Sequence, residues 1–271
     1  MTAAHPGPVE ESYIAAGGQR IRVSVRRGTG VPVVLCNGIG ASYEVLDPLV
    51  AQLDPDTTVI RFDVPGTGGS PVSLVPYGFP YLAWMLGRLL TRLGVGVVDV
   101  LGLSWGGALA QQFAFQNPRR CRRLVIVASG TGMLMIPGHP QILVKMLTPR
   151  RFRDPDYAAS IAGDLYGGTA RTQKDDVAQL FLKQLHPGSK IGYTHQLLAG
   201  SVWTSLPTLP AIRQRTLIIA GADDPIIPVV NAHIMKTLLP HATLHLHDGG
   251  HIDLITNATE LAPVIETFRH T

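Results

Sequence analysis

Short apolar runs recur through this sequence with helical patterns between them, and few architectures accept that alternation. Val31–Cys36, Thr58–Val64 and Val97–Leu103 are mostly apolar, broken by charge only at Arg61, Asp63 and Asp99, and each reads as a strand buried on both faces. Leu124–Ala128, Leu217–Ala220 and Thr243–His247 supply further strands. Ile21–Val25 follows Gly17-Gly18, a hairpin-type turn, and reads as an early antiparallel strand. Between these runs, Phe79, Leu82, Leu86, Leu89, Leu90 and Leu93 recur at helical spacing, with Pro80 near the start and Gly94 just past the end. Trp105–Gln116 reads as a second helix, stopped at Asn117-Pro118. Strand–helix alternation of this kind predicts an α/β fold: a mostly parallel sheet covered by helices on both faces and joined by right-handed crossovers.

The alternation breaks between Thr131 and Pro210, a span far longer than an ordinary connection of ~4–6 residues. Helical patterns at Gln141–Leu147, Ala158–Leu165, Val177–Leu185 and Thr194–Leu198 lie inside it. The expected organisation is a core of residues 1–130 and 211–271 with a helical cap, 131–210, inserted between two core strands. Apolar residues at 45% and charged residues at 15% suit a sizeable buried core and argue against disorder. The net charge is only +4, so no nucleic-acid partner is expected. The clusters Arg119, Arg120, Arg122, Arg123 and Arg150, Arg151, Arg153 read as solvated helix ends or loops. Two cysteines build no disulfide framework, and Cys36, inside an apolar run, reads as a small buried hydrophobe. Met1–Glu10 has neither a basic nor an apolar leader segment, and no stretch approaches the ~18 apolar residues of a membrane span. The expectation is a cytoplasmic protein without a transmembrane segment.

Gly102-Leu103-Ser104-Trp105-Gly106 fits the pattern G-x-S-x-G, with an apolar strand before it and a helix after it. A nucleophilic serine on a sharp strand-to-helix turn projects its Oγ from the sheet edge. The glycines let helix and strand pass closely, and the helix N-terminus favours negative charge at the site. Enzymes built this way carry their partners in the order serine, acid, histidine. Thr216–Ala220 is a late strand, and Asp223 and Asp224 follow it in a loop. Asp224 is the expected orienting acid, with Asp223 a turn or capping residue. His251 follows Gly249-Gly250 beyond the last strand, 27 positions after Asp224, and is the expected general base. His245 and His247 share one strand face and read as exposed. With His241 they lack a carboxylate or cysteine at zinc-ligand spacing, so neither a metal nor another cofactor is expected.

A tetrahedral intermediate needs two N–H donors. One is expected from the backbone of Trp105, directly after the serine. The other is expected from Ile39, in the glycine loop Asn37-Gly38-Ile39-Gly40 after an early strand. Asn37 and Gly38 of that loop, with Met133 and Trp203 of the inserted span, are the candidate substrate-binding residues. Phe62–Ser70 is a second glycine loop and reads as structural, with Asp63 tying down the turn.

The string Gly102–Ala114 resembles the nucleophile region of intracellular medium-chain-length poly(3-hydroxyalkanoate) depolymerases, members of the α/β-hydrolase superfamily. Asn37-Gly38-Ile39-Gly40-Ala41, Phe62-Asp63-Val64-Pro65-Gly66 and Asp223-Asp224-Pro225-Ile226-Ile227-Pro228 are similar too. So are Pro149-Arg150-Arg151, Tyr166-Gly167-Gly168 and Trp203-Thr204-Ser205 in the cap. Leu103 and Gly249 depart from the family pattern, where a valine and an acidic residue are expected. The resemblance implies an α/β-hydrolase fold and a serine hydrolase that cleaves the ester bonds of 3-hydroxyacyl polyesters or their oligomers. Its partners would be a hydrophobic ester or polyester and, as a candidate, a polyester granule surface. The same machinery also serves small-molecule esterases and lipases, lactone and carbon–carbon hydrolases, cofactor-free haloperoxidases, ligand-sensing receptors and granule-docking proteins.

Overall fold

The short apolar runs lie in the interior of a single sheet, where both faces are covered. The computed structural model describes residues 8–182 and 188–271. Among them the strands are β1 (Val9–Ala16), β2 (Gln19–Arg26), β3 (Val33–Cys36), β4 (Val59–Phe62), β5 (Val98–Leu103), β6 (Cys121–Val127), β7 (Arg215–Gly221) and β8 (Ala242–His247). They form an eight-stranded sheet in the order β1-β2-β4-β3-β5-β6-β7-β8. β1 and β2 are antiparallel to their neighbours, and every other pairing is parallel. All residues of β3, β4 and β5 are buried, as mostly Val/Ile/Leu runs suggest, with Arg61 and Asp99 the buried charges among them. β1 escaped sequence reading because Val9 to Tyr13 face solvent. Its charges suit an edge strand, which they keep from pairing further.

The helices are α1 (Asp47–Gln52), α2 (Phe79–Arg92), α3 (Trp105–Gln116), α4 (Pro140–Lys145), α5 (Pro155–Tyr166), α6 (Lys174–Leu182), α7 (Lys190–Ser201), α8 (Val230–Leu238), α9 (Asp253–Thr256) and α10 (Ala258–His270). α2, α3 and α8 bury their apolar stripes on one face of the sheet. α1 and α10 cover the other. Each buried Leu or Phe of these stripes contributes about 1.5–3 kcal/mol.

Helices α4 to α7 all lie in the connection between β6 and β7. The ends of that excursion are zipped together: Met133 N–H donates to Trp203 O at 2.8 Å, and Ser205 N–H to Thr131 O at 3.0 Å. The helical pattern Val177–Leu185 is occupied by α6 as far as Leu182, and its remaining residues lie outside those described, as do residues 1–7. Phe152, Leu165, Tyr166 and Tyr193 of the excursion join the same apolar cluster as Ile39, Leu103 and Ile252 from the sheet's carboxyl edge. The inserted helices are thus seated on that edge by shared core.

In the glycine loop after β4, Asp63 accepts the N–H groups of Tyr43 and Gly69, each at 2.9 Å, and pairs with Arg22 at 3.4 Å. Two expectations are corrected. Arg151 is not part of a solvated loop but is buried beneath the inserted helices. His245 and His247 are half-buried rather than exposed, and the turn after β8 folds back over His247, with Gly249 N–H donating to its Nδ1 at 3.1 Å. Among the described residues no helix is long and apolar enough to cross a membrane.

Candidate active site

Strand β5 runs straight into α3, and Ser104 is the single residue that makes the turn. Its backbone stands at φ 55° and ψ −119°, in the left-handed region that disfavours a side chain. Three hydrogen bonds hold it there. Ser104 N–H donates to Val127 O at 2.9 Å, and its carbonyl accepts from Gly107 N–H and Ser129 Oγ, each at 2.8 Å. Gly106 is required because a Cβ there would strike the carbonyl oxygens of Cys36 and Asn37.

The loops after β7 and β8 bring two more residues to this turn. Ser104 Oγ lies 2.8 Å from His251 Nε2, and His251 Nδ1 lies 2.8 Å from Asp224 Oδ2. His251 is 3% and Asp224 8% exposed, so water competes weakly for either group. The other Asp224 oxygen accepts the N–H groups of Ile226 and Ile227, each at 2.9 Å. That leaves Oδ2 for the imidazole and fixes Nδ1 as the protonated nitrogen. Nε2 is then free to accept the Ser104 proton.

Asp223, the adjacent carboxylate, points the other way. It takes both ends of the Arg171 guanidinium, at 2.6 and 2.7 Å, and accepts Gly168 N–H at 2.7 Å. The Arg171 hydrogen bonds hold its carboxyl below the usual carboxylate range, against a smaller opposing effect of burial. The histidine loop is tied to the same stretch: His251 N–H donates to Tyr166 O at 2.7 Å, and the Tyr166 ring lies nearly parallel to the imidazole at 6.5 Å. A side chain at Gly250 would strike Tyr166 O, which explains the second glycine before the histidine.

Facing Ser104 is the loop after β3. Among the described residues neither Ile39 N–H nor Trp105 N–H has an acceptor. Both belong to the chamber walls that meet at Ser104, the arrangement that can receive a developing oxyanion. Asn37 does not offer its side chain outward. Its amide donates to Ser42 O at 2.6 Å and Ala41 O at 3.3 Å, and its oxygen accepts Gly38 N–H at 2.8 Å, so it braces the loop. Gly38 faces Ser104 closely: a Cβ there would lie in van der Waals contact, 3.8 Å, with that of Ser104. Gln196 of α7, which sequence reading missed, accepts Gly40 N–H at 2.7 Å through Oε1 and Trp105 Nε1–H at 2.9 Å through its carbonyl.

Two chambers meet at Ser104 and Ile39. The inner one, about 40 Å³, lies between the sheet edge and α5–α6 and includes His251, Phe152, Tyr166 and Ile252. The outer one, about 410 Å³, is walled by Phe79, Trp105, Met133, Met135 and Trp203. Met133 stands at its exposed mouth. Trp203 is buried, with Nε1 donating to Gln112 Oε1 at 2.6 Å. His245 and His247 line a different depression that lacks Ser104. Burial also pushes the His247 pKa down.

A family described as alpha/beta hydrolase fold matches residues 31–258. The chain is 44% identical over 265 residues to the poly(3-hydroxyalkanoate) depolymerase of Ectopseudomonas oleovorans, covering 97% of this chain and 93% of that one. It is 26% identical to the 2-hydroxymuconate semialdehyde hydrolase of Pseudomonas putida, covering 99% and 97%. Among solved structures, the enol-lactonase from Burkholderia xenovorans LB400 superposes with a TM-score of 0.82 at 21% identity, covering 96% of this chain and 100% of that one. At that identity the likeness speaks to the fold.

Proposed function

The chain belongs to the alpha/beta hydrolase family, and from that premise we propose that it is a serine hydrolase cleaving the ester bonds of poly(3-hydroxyalkanoate) or of 3-hydroxyacyl oligomers. Ser104 is the nucleophile, His251 the general base and Asp224 the orienting acid. His251 Nε2 takes the Ser104 proton as Oγ attacks the ester carbonyl, and Asp224 stabilises the imidazolium. The oxyanion receives the backbone N–H groups of Ile39 and Trp105. Collapse of the intermediate leaves an acyl-enzyme, and His251 returns the proton to the departing alkoxide. Water, activated by the same imidazole, then releases the acid.

The observation that carries this reading is the hydrogen-bonded row Ser104–His251–Asp224 opening between two apolar chambers. A row alone would suit any ester. The outer chamber supplies room for a medium-length alkyl chain beside the scissile bond, which a polyester acyl group fills and an acetyl group does not, and the small inner chamber extends the apolar lining on the other side. The 44% identity to a depolymerase agrees with that choice. Residues 131–210 act as a cap over a core of residues 1–130 and 211–271. The exposed Met133, Leu134, Ile136, Val144 and Leu147 on that cap suit a hydrophobic granule surface, with the protein in the cytoplasm.

An alkylphosphonate serine probe tests the chemistry. The probe is expected to label the wild type on Ser104 and to block turnover of p-nitrophenyl octanoate. Ser104→Ala is expected to take no label, with no loss of thermal stability. Labelling elsewhere, or octanoate turnover by Ser104→Ala near the wild-type rate, would remove the assignment.

A further inference from the structure

Among the described residues, Arg151 is a buried cation without a counter-ion. It is 3% exposed, and a guanidinium stays charged at any pH the fold survives. The acidic residue nearest in sequence, Asp154, is taken by Arg150 at 2.8 Å. Arg151 has instead a set of neutral neighbours. Nη1 donates to the Tyr193 hydroxyl at 3.0 Å and to Thr148 O at 3.3 Å, and the guanidinium lies 4.4 Å from the centre of the Phe152 ring. The Tyr166 phenol is close by, its pKa pushed up to about 12 by burial despite the adjacent cation. Nε is buried with no hydrogen-bond partner among the described residues.

That arrangement is an expensive way to fill a core. Rings and carbonyls compensate a buried charge only in part, and an apolar side chain of similar volume would serve packing alone as well or better. The place of the charge gives it another use. Arg151 lines the same inner chamber as Ser104 and His251. An unpaired guanidinium in a reaction chamber is a receptor for an anion, and its planar fork fits a carboxylate.

We propose that Arg151 receives the free carboxylate at the acid end of a 3-hydroxyacyl chain, so that the enzyme removes units from that end. The inference rests on the polyester reading above. In such a chain the last unit carries its carboxylate at C1 and the last ester oxygen at C3. A carboxylate on Arg151 places C1 to C3 of the terminal unit in the small inner chamber as the leaving alcohol, with its alkyl tail turned toward the junction of the chambers at Ser104. The acyl portion, bonded to Ser104, extends into the larger outer chamber toward Met133. The ester carbonyls of a neutral chain could also accept from a guanidinium, and esterifying the terminal acid separates the two cases.

The test compares the dimer 3-(3-hydroxyoctanoyloxy)octanoate with its methyl ester, and free 3-hydroxyoctanoate with its methyl ester as inhibitors of p-nitrophenyl octanoate hydrolysis. The wild type is expected to favour the free-acid dimer in kcat/KM by about ten- to a hundredfold, chiefly through KM, and to be inhibited more by the free acid. Arg151→Met is expected to bring both ratios close to one, and Arg151→Lys to restore part of each. Equal handling of acid and ester by the wild type overturns the proposal. So does an Arg151→Met variant that slows both dimers alike, which is what a structural role predicts. If Arg151→Met does not fold, the wild-type ratios decide. If neither dimer is turned over while p-nitrophenyl octanoate is, the polyester reading fails, and the inhibition ratio still judges Arg151.

Discussion

At Ser104 the chain holds a side chain in a backbone conformation that glycine would adopt with less strain. Such a residue stores about 1–3 kcal/mol, which the three hydrogen bonds at the elbow hold in place. Ser104→Gly and Ser104→Ala should both be inactive, but Ser104→Gly should melt higher, by roughly 2–4 °C for each kcal/mol released. Equal melting temperatures would place the strain elsewhere. The two adjacent aspartates part company in the same physical terms. Asp224→Asn breaks the contact to His251 Nδ1 and should reduce kcat by about 10⁴-fold, the cost of the corresponding amide swap in a serine protease. Asp223→Asn leaves that contact whole, so a loss in kcat of comparable size would refute the division of roles. Ser104, Asp224 and His251 were legible because motif and chain order mark them, and the structure brings them together. Gln196 and Arg151 were not. Gln196 meets Gly40 from 156 positions away, and no local pattern announces such a partner. Arg151 sits among arginines that a charge count assigns to solvent.

Among the elements, strands β2 to β8 and helices α2 and α3 were readable to within a few residues, since a buried parallel strand and an amphipathic helix differ in period. The solvent-facing edge strand β1 and the core helices α1, α8, α9 and α10 were missed: β1 and α1 bury no long apolar pattern, and Pro263 stands inside α10. How α5 and the following turn dock on the acid and histidine loops was also invisible, as it depends on Asp223, Arg171 and the Tyr166 carbonyl meeting in space. The Asp223 carboxyl is held below its ordinary range in the folded protein, so its contribution is present above that range and lost as pH falls through the folded value. Protection factors for hydrogen exchange at residues 166–171, corrected for the intrinsic rate, should therefore fall in acid below about pH 4, and Arg171→Met should show the lowered protection already at neutral pH. An Arg171→Met protein that exchanges there like the wild type would show the clamp to be idle. The contact of α3 with the loop after β3 makes a second prediction. Gly106→Ala should abolish activity and lower the melting temperature, whereas Gly96→Ala, with open space around it, should leave both nearly unchanged. Parity between the two would contradict the close packing at the elbow.

Taken as a whole, the molecule sets a polar row of three residues at the junction of two apolar chambers, beneath helices inserted between β6 and β7. Apolar walls reward alkyl length, each buried CH₂ adding about 0.8 kcal/mol to transition-state binding until the chamber is full. The kcat/KM for p-nitrophenyl esters should accordingly rise from acetyl to octanoyl, and a preference for acetyl would count against a site shaped for medium-length side chains. The sheet and its helical coverage followed from alternation alone. The chambers did not, since their walls combine residues from the core loops with residues of the inserted helices whose seating no period encodes. Polyester cleavage at Ser104 is read directly from the clearing of a medium-chain poly(3-hydroxyalkanoate) emulsion, with released acids quantified by mass spectrometry and Ser104→Ala run beside the wild type. Clearing with 3-hydroxy acids or short oligomers is expected from the wild type and none from Ser104→Ala. An active esterase that leaves the emulsion intact, or equal release by Ser104→Ala, would contradict polyester cleavage at Ser104.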